Sequence, residues 1–153
     1  MIIQAMTQDQ IDDARRLFIE YQEWFGLPLC FQNFEEELAT LPGAYAPPDG
    51  RLYLAYFHEE LAGCGALRKL EVGICEMKRL FVRNAFRGNK IGVALIDRIL
   101  ADARAIGYGK IRLDTVPERM GRAVSLYESY GFRQIEPYYH NPYGETLFLE
   151  KLI

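Results

Sequence analysis

Leu80-Phe81-Val82-Arg83-Asn84-Ala85-Phe86-Arg87-Gly88-Asn89-Lys90-Ile91-Gly92-Val93 decides the reading of this chain. Its first residues close an alternating run, Ile74 to Val82, whose period predicts a strand. Its last residues open a helix in which Ile91, Leu95, Ile99 and Ala103 recur every four positions, until Gly107 ends it as a C′ glycine. A strand that runs through a glycine turn into a helix suits a diphosphate. The first helical amides have no internal partner and carry about half a positive charge between them. Glycine lets an anion come close, and Arg87 and Lys90 add charge. The same residues also fit a plain helix-start turn. Two other phosphate loops are excluded. Gly-x-x-x-x-Gly-Lys-Ser/Thr is absent, which removes a nucleoside triphosphatase, and no Gly-x-Gly-x-x-Gly follows the first strand, which removes a Rossmann dinucleotide site.

Upstream, Met1 to Met6 reads as a short strand and Thr7-Gln8-Asp9-Gln10 as a capping box. Ile11, Ala14, Leu17, Phe18 and Tyr21 follow at helical spacing, and Gly26-Leu27-Pro28 breaks that helix. Asn33 to Glu36 reads as a second box, opening a short helix through Leu38. Pro47-Pro48-Asp49-Gly50 is a turn, and Leu52 to Phe57 and Leu61 to Leu70 are strands joined by a hairpin at His58-Glu59-Glu60. In the run Ile74 to Val82, alternation puts Glu76, Lys78, Leu80 and Val82 on one face and Cys75, Met77, Arg79 and Phe81 on the other. Downstream come a strand from Lys110 to Thr115, a helix from Pro117 to Tyr130 stopped by Gly131, and a strand from Phe132 to Ile135. A tyrosine-rich loop from Pro137 to Gly144 precedes a last strand, Thr146 to Leu152. No repeat or linker interrupts this order, so residues 1–153 are expected to form one domain: a mixed sheet with helices on its faces.

A net charge of -3 argues against nucleic acid or an anionic membrane as the main partner and fits a cationic small substrate better. Cys30, Cys64 and Cys75 are odd in number and match neither a zinc site nor a redox pair, so free thiols in a reducing compartment are expected, with no metal. Without a signal-like start or a bilayer-length apolar run, a cytoplasmic protein is expected.

At the strand-to-helix junction the chain resembles the GNAT superfamily of N-acetyltransferases, which carries Gln/Arg-x-x-Gly-x-Gly/Ala there. Arg87, Ile91 and Gly92 fit that pattern, while Lys90 stands where the first glycine is usual; lysine can adopt helical angles, which would leave the amides aimed at phosphate. A second block, Ala123, Leu126, Tyr127, Gly131 and Phe132, resembles the family's helix that carries Leu-Tyr and ends in Gly-Phe; a frequent asparagine of that helix is Met120 here. The chain looks closest to an uncharacterised bacterial branch with Glu-Met-Lys-Arg-Leu, Leu-Asp-Thr and Tyr-Tyr-x-Asn-Pro, here Glu76 to Leu80, Leu113 to Thr115 and Tyr138 to Pro142.

The resemblance implies an α/β GNAT fold, a mostly antiparallel mixed sheet of about seven strands flanked by about four helices. It implies acetyl-CoA as co-substrate, with the amides from Arg87 through Gly88, Asn89, Lys90, Ile91 and Gly92 to Val93 holding the diphosphate. The backbone of Leu80, Phe81 and Val82 would pair with the pantetheine arm like an extra strand. Tyr127 would lie near the CoA sulfur and protonate the leaving thiolate; otherwise it is a core aromatic. An alkylammonium must lose a proton before attack. Glu76, where many members place a glutamate, is the first candidate base, and a strand glutamate paired with Lys78 or an arginine is the other reading. Asp114 is second, as base, cation site or loop cap, and His140 is third. The acceptor side would be formed by the first two helices and the last hairpin, with Tyr21, Trp24, Phe25, Phe31, Tyr138, Tyr139, His140 and Tyr143 making either an aromatic wall for an amine or core and dimer contacts. The expected activity is acetyl transfer to a primary amine by direct attack in a ternary complex, in a monomer or homodimer. A non-catalytic acyl-CoA-binding regulatory module is the alternative. Nucleic-acid binding is disfavoured, because Arg83, Arg87 and Lys90 are explained by CoA phosphates.

Overall fold

The structure is a computed structural model that describes residues 1–26 and 33–153, with the side chains of 118–121 left out of the description. Cys30, Phe31 and the break at Pro28 therefore lie outside the described residues, as does the side chain of Met120. The elements are β1 (Ile2–Gln4), α1 (Gln8–Phe25), α2 (Phe34–Thr40), β2 (Arg51–Phe57), β3 (Glu60–Glu71), β4 (Ile74–Val82), α3 (Ile91–Ile106), β5 (Lys110–Thr115), α4 (Pro117–Ser129), β6 (Arg133–Ile135) and β7 (Leu147–Leu152). They form one sheet of seven strands in the order β1-β2-β3-β4-β5-β7-β6. Its pairings are antiparallel except β4 with β5, which are parallel. The mixed, mostly antiparallel sheet read from the sequence is thus observed.

The helical spacings bury what they predict. Ile11, Ala14, Leu17, Phe18 and Tyr21 of α1 pack with Leu52 and Leu54 on one face of the sheet. Ile91, Leu95, Ile99 and Ala103 of α3 pack with Tyr53, Met77 and Ile111 on the other. Burying such an aliphatic side chain contributes about 1.5–3 kcal/mol, so these two stripes hold the layers together. The Thr7 capping box forms, with Gln10 N donating to Thr7 Oγ1 at 3.2 Å and Thr7 N donating to Gln10 Oε1 at 3.1 Å. The second box does not form: Asn33 sits at φ 56°, and its side chain makes no capping bond. A side-chain cap needs extended backbone at that position to fold back onto the helix amides. The hairpin turn is two residues long, His58 (φ 49°) and Glu59 (φ 68°), and Glu60 already belongs to β3.

One irregularity shapes everything that follows. Between the pairs Cys64↔Phe81 and Ala66↔Lys78 the single residue Gly65 of β3 faces two of β4, Arg79 and Leu80. Arg79 takes up the bulge in the left-handed region, at φ 59°. A bulge resets the alternation, and this corrects the expected faces of β4. Leu80 and Val82 pack on the α3 side with Cys75 and Met77, whereas Phe81 joins the α1 side. Arg79 also turns to the α1 side, where its guanidinium lies 5.9 Å from the Tyr21 ring centroid and 5.0 Å from that of Phe34. Gly63 lies against this region, and a Cβ there would fall 2.6 Å from the Phe81 carbonyl oxygen.

The bulged strand leaves its parallel neighbour. Only Ile74, Cys75 and Glu76 pair with β5, opposite Lys110, Ile111 and Arg112. Beyond them β4 continues beside β3 to Val82, and β5 continues beside β7 to Thr115. The two strands diverge, and a wedge opens between their C-terminal halves.

Candidate active site

The wall of the wedge formed by β4 offers backbone polar groups. Arg83 N donates to Ala62 O of β3 at 2.8 Å. By alternation, the N–H and C=O of Phe81 face β3 as well, and those of Leu80 and Val82 face the wedge. The bond of 3.1 Å from Arg87 Nε to Val82 O confirms that this carbonyl points away from β3. Of the expected backbone set Leu80, Phe81 and Val82, the first and last therefore present their groups to the opening.

The wedge leads to the start of α3. Ala94 N makes the first intrahelical bond, to Lys90 O at 3.1 Å, so the amides of Ile91, Gly92 and Val93 precede the ladder. Gly88 has φ +89° and nothing within 4 Å of an added Cβ, so conformation and not crowding calls for glycine. Lys90 differs from expectation: it does not adopt right-handed helical angles but caps the helix at φ 60°, ψ 25°, in the left-handed region that favours glycine. Residues 87–90 are all exposed, and Asn89 Nδ2 donates to Phe86 O at 3.0 Å. Arg87 is turned aside, with its guanidinium 4.9 Å over the Trp24 ring. Arg83 corrects the sequence reading. It is held by both carboxylate oxygens of Glu20, at 2.9 and 2.7 Å, and ties α1 to the end of β4 instead of lying at the start of α3.

The floor of the wedge is a cavity of about 40 Å³ whose wall includes Tyr21, Lys78, Arg79, Asp114, Tyr127 and Tyr143. Tyr127 comes from the last turn of α4, which Gly131 leaves at φ +96°. Its ring packs edge-on against Phe132 at 5.7 Å. Burial first, then the nearby Tyr21 and Asp114, push its phenol up, so the proton stays on the oxygen. Asp114, next to last in β5, accepts a hydrogen bond from the Tyr139 hydroxyl, which Asn141 Nδ2 also reaches at 3.0 Å. Burial raises its carboxyl above the ordinary aspartate range, against the pull of Lys78. Lys78 is shifted the other way, downward, by burial and by Arg79 beside it.

Glu76 lies at the apex, where β4 and β5 part, and is 1% exposed. It accepts 2.7 Å from Arg68 Nε and 2.6 Å from the Tyr138 hydroxyl. Burial alone would raise its carboxyl, but Lys78, Arg68 and Tyr138 together hold it below the usual glutamate range. Tyr138 and Tyr139 thus clamp the loop before β7 onto Glu76 and Asp114. Four expected acceptor residues lie outside the cavity wall: Tyr138 and Tyr139, which bond Glu76 and Asp114, exposed His140, and Trp24, 40% exposed, at the Arg87 end. Sequence reasoning missed the bidentate pair of Arg79 with Glu37 of α2, at 2.9 and 2.9 Å. One signal existed, an arginine on a face otherwise made of Cys75, Met77 and Phe81. Cys64 and Cys75 are buried free thiols, as expected, and among the described residues no cluster could hold a metal and no helix is long and apolar enough to cross a membrane.

A splayed β4–β5 pair with a helix start at its mouth and a tyrosine and an aspartate at its floor makes the candidate site of this chain. The chain belongs to the acetyltransferase (GNAT) family, whose pattern it matches over residues 11–132, and it is an N-acetyltransferase. An uncharacterized N-acetyltransferase of Schizosaccharomyces pombe is 41% identical, covering 94% of this chain and 88% of its own length. Another, of Dictyostelium discoideum, is 34% identical over 94% of both. With both relatives eukaryotic, the expected bacterial branch is not supported. A Mycobacterium tuberculosis protein solved in complex with CoA shares the fold, with a TM-score of 0.75 at 20% identity over 100% of this chain and 99% of that one.

Proposed function

We propose that the protein transfers the acetyl group of acetyl-CoA to the primary amine of a small acceptor, by direct attack while both are bound in the wedge. The observation that carries this is the open β4 edge at Leu80 and Val82, running between the unpaired amides of Ile91, Gly92 and Val93 and a floor that holds Tyr127 and Asp114. These residues fit the co-substrate: an extended amide-bearing arm can take the backbone groups of Leu80 and Val82, and a diphosphate can take the start of α3 with Gly88, Asn89 and the Lys90 ammonium. Acetyl-CoA supplies, when bound, the thioester carbon that the amine attacks.

Asp114 suits the base better than Glu76. A carboxyl raised by burial gains from taking a proton, and one stabilised by two cations and a phenol does not. Asp114 accepts one proton from the acceptor ammonium, and the second leaves with the departing sulfur as the C–N bond replaces the C–S bond. Tyr127 keeps its proton and donates a hydrogen bond to that sulfur. Glu76 fixes Tyr138, and through it the loop that closes the acceptor side. In thermal unfolding, acetyl-CoA at a hundred times its dissociation constant should stabilise the protein by about 2.7 kcal/mol, a rise of roughly 5–11 °C for this size. CoA release should follow on adding an acceptor amine. No shift at millimolar acetyl-CoA overturns the reading.

A further inference from the structure

Asp114 lines the cavity, and a chain of three hydrogen bonds ties its carboxylate to the loop before β7. Tyr143 N donates to Asn141 Oδ1 at 2.8 Å. That bond fixes which way the amide faces, because only its oxygen can accept. Asn141 Nδ2 is thereby directed at the Tyr139 hydroxyl oxygen, at 3.0 Å. An amide nitrogen only donates, so the phenol oxygen is the acceptor there, and the phenol proton goes to Asp114 Oδ2. Tyr139 lies outside the cavity wall, so what it does for the site it does through Asp114. Its ring is seated edge-on against Phe148 at 5.1 Å and Tyr138 at 5.5 Å. A phenylalanine would keep both ring contacts, so the hydroxyl can be removed without unseating the ring.

We infer that Tyr139, aimed by Asn141, is a positioning residue for the base: its hydroxyl holds the Asp114 carboxylate in one orientation and keeps it ionised, ready for the acceptor's proton. The inference rests on Asp114 being the base, as proposed above, and adds two residues that act through it. A base on a buried cavity wall faces opposing demands. Burial raises its pKa, which makes it a stronger base but leaves it already protonated once the rise goes too far. A donor bonded to the charged form works against that rise. Other charged or titratable groups also face Asp114: Lys78, Glu76 and Arg79 on β4, Tyr21 on α1, Tyr127 on α4 and Tyr138 in the loop. All of them are kept in variants at Tyr139 and Asn141, so a change among those variants reports the bond from Tyr139.

An NMR titration of the aspartate carboxyl carbons tests this with no acceptor present, the Asp114 signal being assigned by its loss in Asp114→Asn. In Tyr139→Phe the Asp114 titration midpoint should rise by about one pH unit, the scale of a hydrogen bond to a charged group. Asn141→Ala should raise it by less, and should add nothing in the Tyr139→Phe background, because Asn141 acts through the phenol. With the amine that gives CoA release in the wild type, the acid limb of kcat/KM should move up with the NMR midpoint in Tyr139→Phe. Below both midpoints the rate should be about tenfold lower, with KM for acetyl-CoA unchanged. A tyrosine that only anchors the loop would leave the midpoint where it is. An unmoved or lowered midpoint in Tyr139→Phe therefore overturns the inference, and full additivity of the two variants removes Asn141 from it. An acid limb that survives in Asp114→Asn overturns the base reading and this inference with it. A limb lost in Asp114→Asn, with the midpoint unmoved in Tyr139→Phe, overturns this inference alone.

Discussion

Glu37→Gln tests the bulge that opens the site. Arg79 is 4% exposed at a left-handed position of β4, and both carboxylate oxygens of Glu37 hold it at 2.9 Å. The substitution keeps size and one acceptor oxygen but removes the charge, leaving a guanidinium buried between the Tyr21 and Phe34 rings. Breaking a buried pair by removing one partner costs about 3–5 kcal/mol, because the other charge remains in low dielectric. Glu37 is itself 16% exposed, so water reaches one end of the pair, and the lower figure is the better expectation. At roughly 2–4 °C per kcal/mol, the unfolding midpoint should fall by about 6–12 °C. Circular dichroism melts of wild type, Glu37→Gln, Arg79→Met and the double variant Glu37→Gln/Arg79→Met measure it. The double variant should recover part of the loss, since it leaves no charge to strand. A Glu37→Gln midpoint within a degree of wild type, or a double variant equal to the sum of the singles, would show that the pair does not hold the bulge.

Asp114→Asn should raise the melting midpoint at neutral pH and lower turnover together. A carboxyl whose folded-state pKa lies above its unfolded value stabilises the fold only below the unfolded value, and that contribution is lost as pH rises through the folded one, so the neutral isostere removes a penalty. The acid limb of kcat/KM should vanish in this variant and persist in Glu76→Gln. Glu76 has the opposite sign: its depressed pKa gives stability that is present above the ordinary glutamate value and lost as acid passes the lowered one, so Glu76→Gln should destabilise at neutral pH. Trp24 is the one tryptophan and lies under the Arg87 guanidinium, which also occupies Val82 O. A ligand that takes that carbonyl must move Arg87, so CoA should change Trp24 emission saturably, and an unchanged spectrum at saturation would count against the proposed path. Lys90→Gly should relieve a left-handed lysine, raising the midpoint by roughly 1–4 °C after the glycine's entropy in the unfolded chain is set against it.

What the sequence made legible is what repeats. The four-residue period of α3, the capping box at Thr7, and Gly107 and Gly131 at helix ends were all readable because local chemistry decides them. The bulge was not, because one extra residue in a strand leaves the composition of both faces plausible and only the register with β3 reveals it. Asn33 failed as a cap for a related reason: its residue type suits the role, but the backbone takes φ 56° there, which residue type alone does not decide. For the candidate site, motifs in the sequence pointed to Tyr127 and Asp114, and the loop composition to Tyr138 and Tyr139. Which carboxylate each tyrosine would meet depends on β5, β7 and the loop before β7 coming together, a contact between distant parts of the chain.

The bulge at Arg79 joins stability to function. Without it, β4 would run on beside β5, the carbonyls of Leu80 and Val82 would be consumed in a ladder, and no edge would face the start of α3. With it, those groups face the wedge, where Arg87 Nε reaches the Val82 carbonyl, Phe81 is turned inward, and Arg79 is left at a strained backbone position in the interior. Such a position costs of order 1–3 kcal/mol and persists only when its surroundings over-determine it. Here they do: Glu37 holds the side chain, Tyr21 and Phe34 sandwich it, and Cys64 Sγ donates to its carbonyl at 3.3 Å. The residues that surround Arg79 come from α1, α2 and β3, none of which supplies the proposed base or the leaving-group donor. Substitutions there should therefore change the width of the wedge, and with it cofactor affinity, before they change the chemistry at Asp114 and Tyr127.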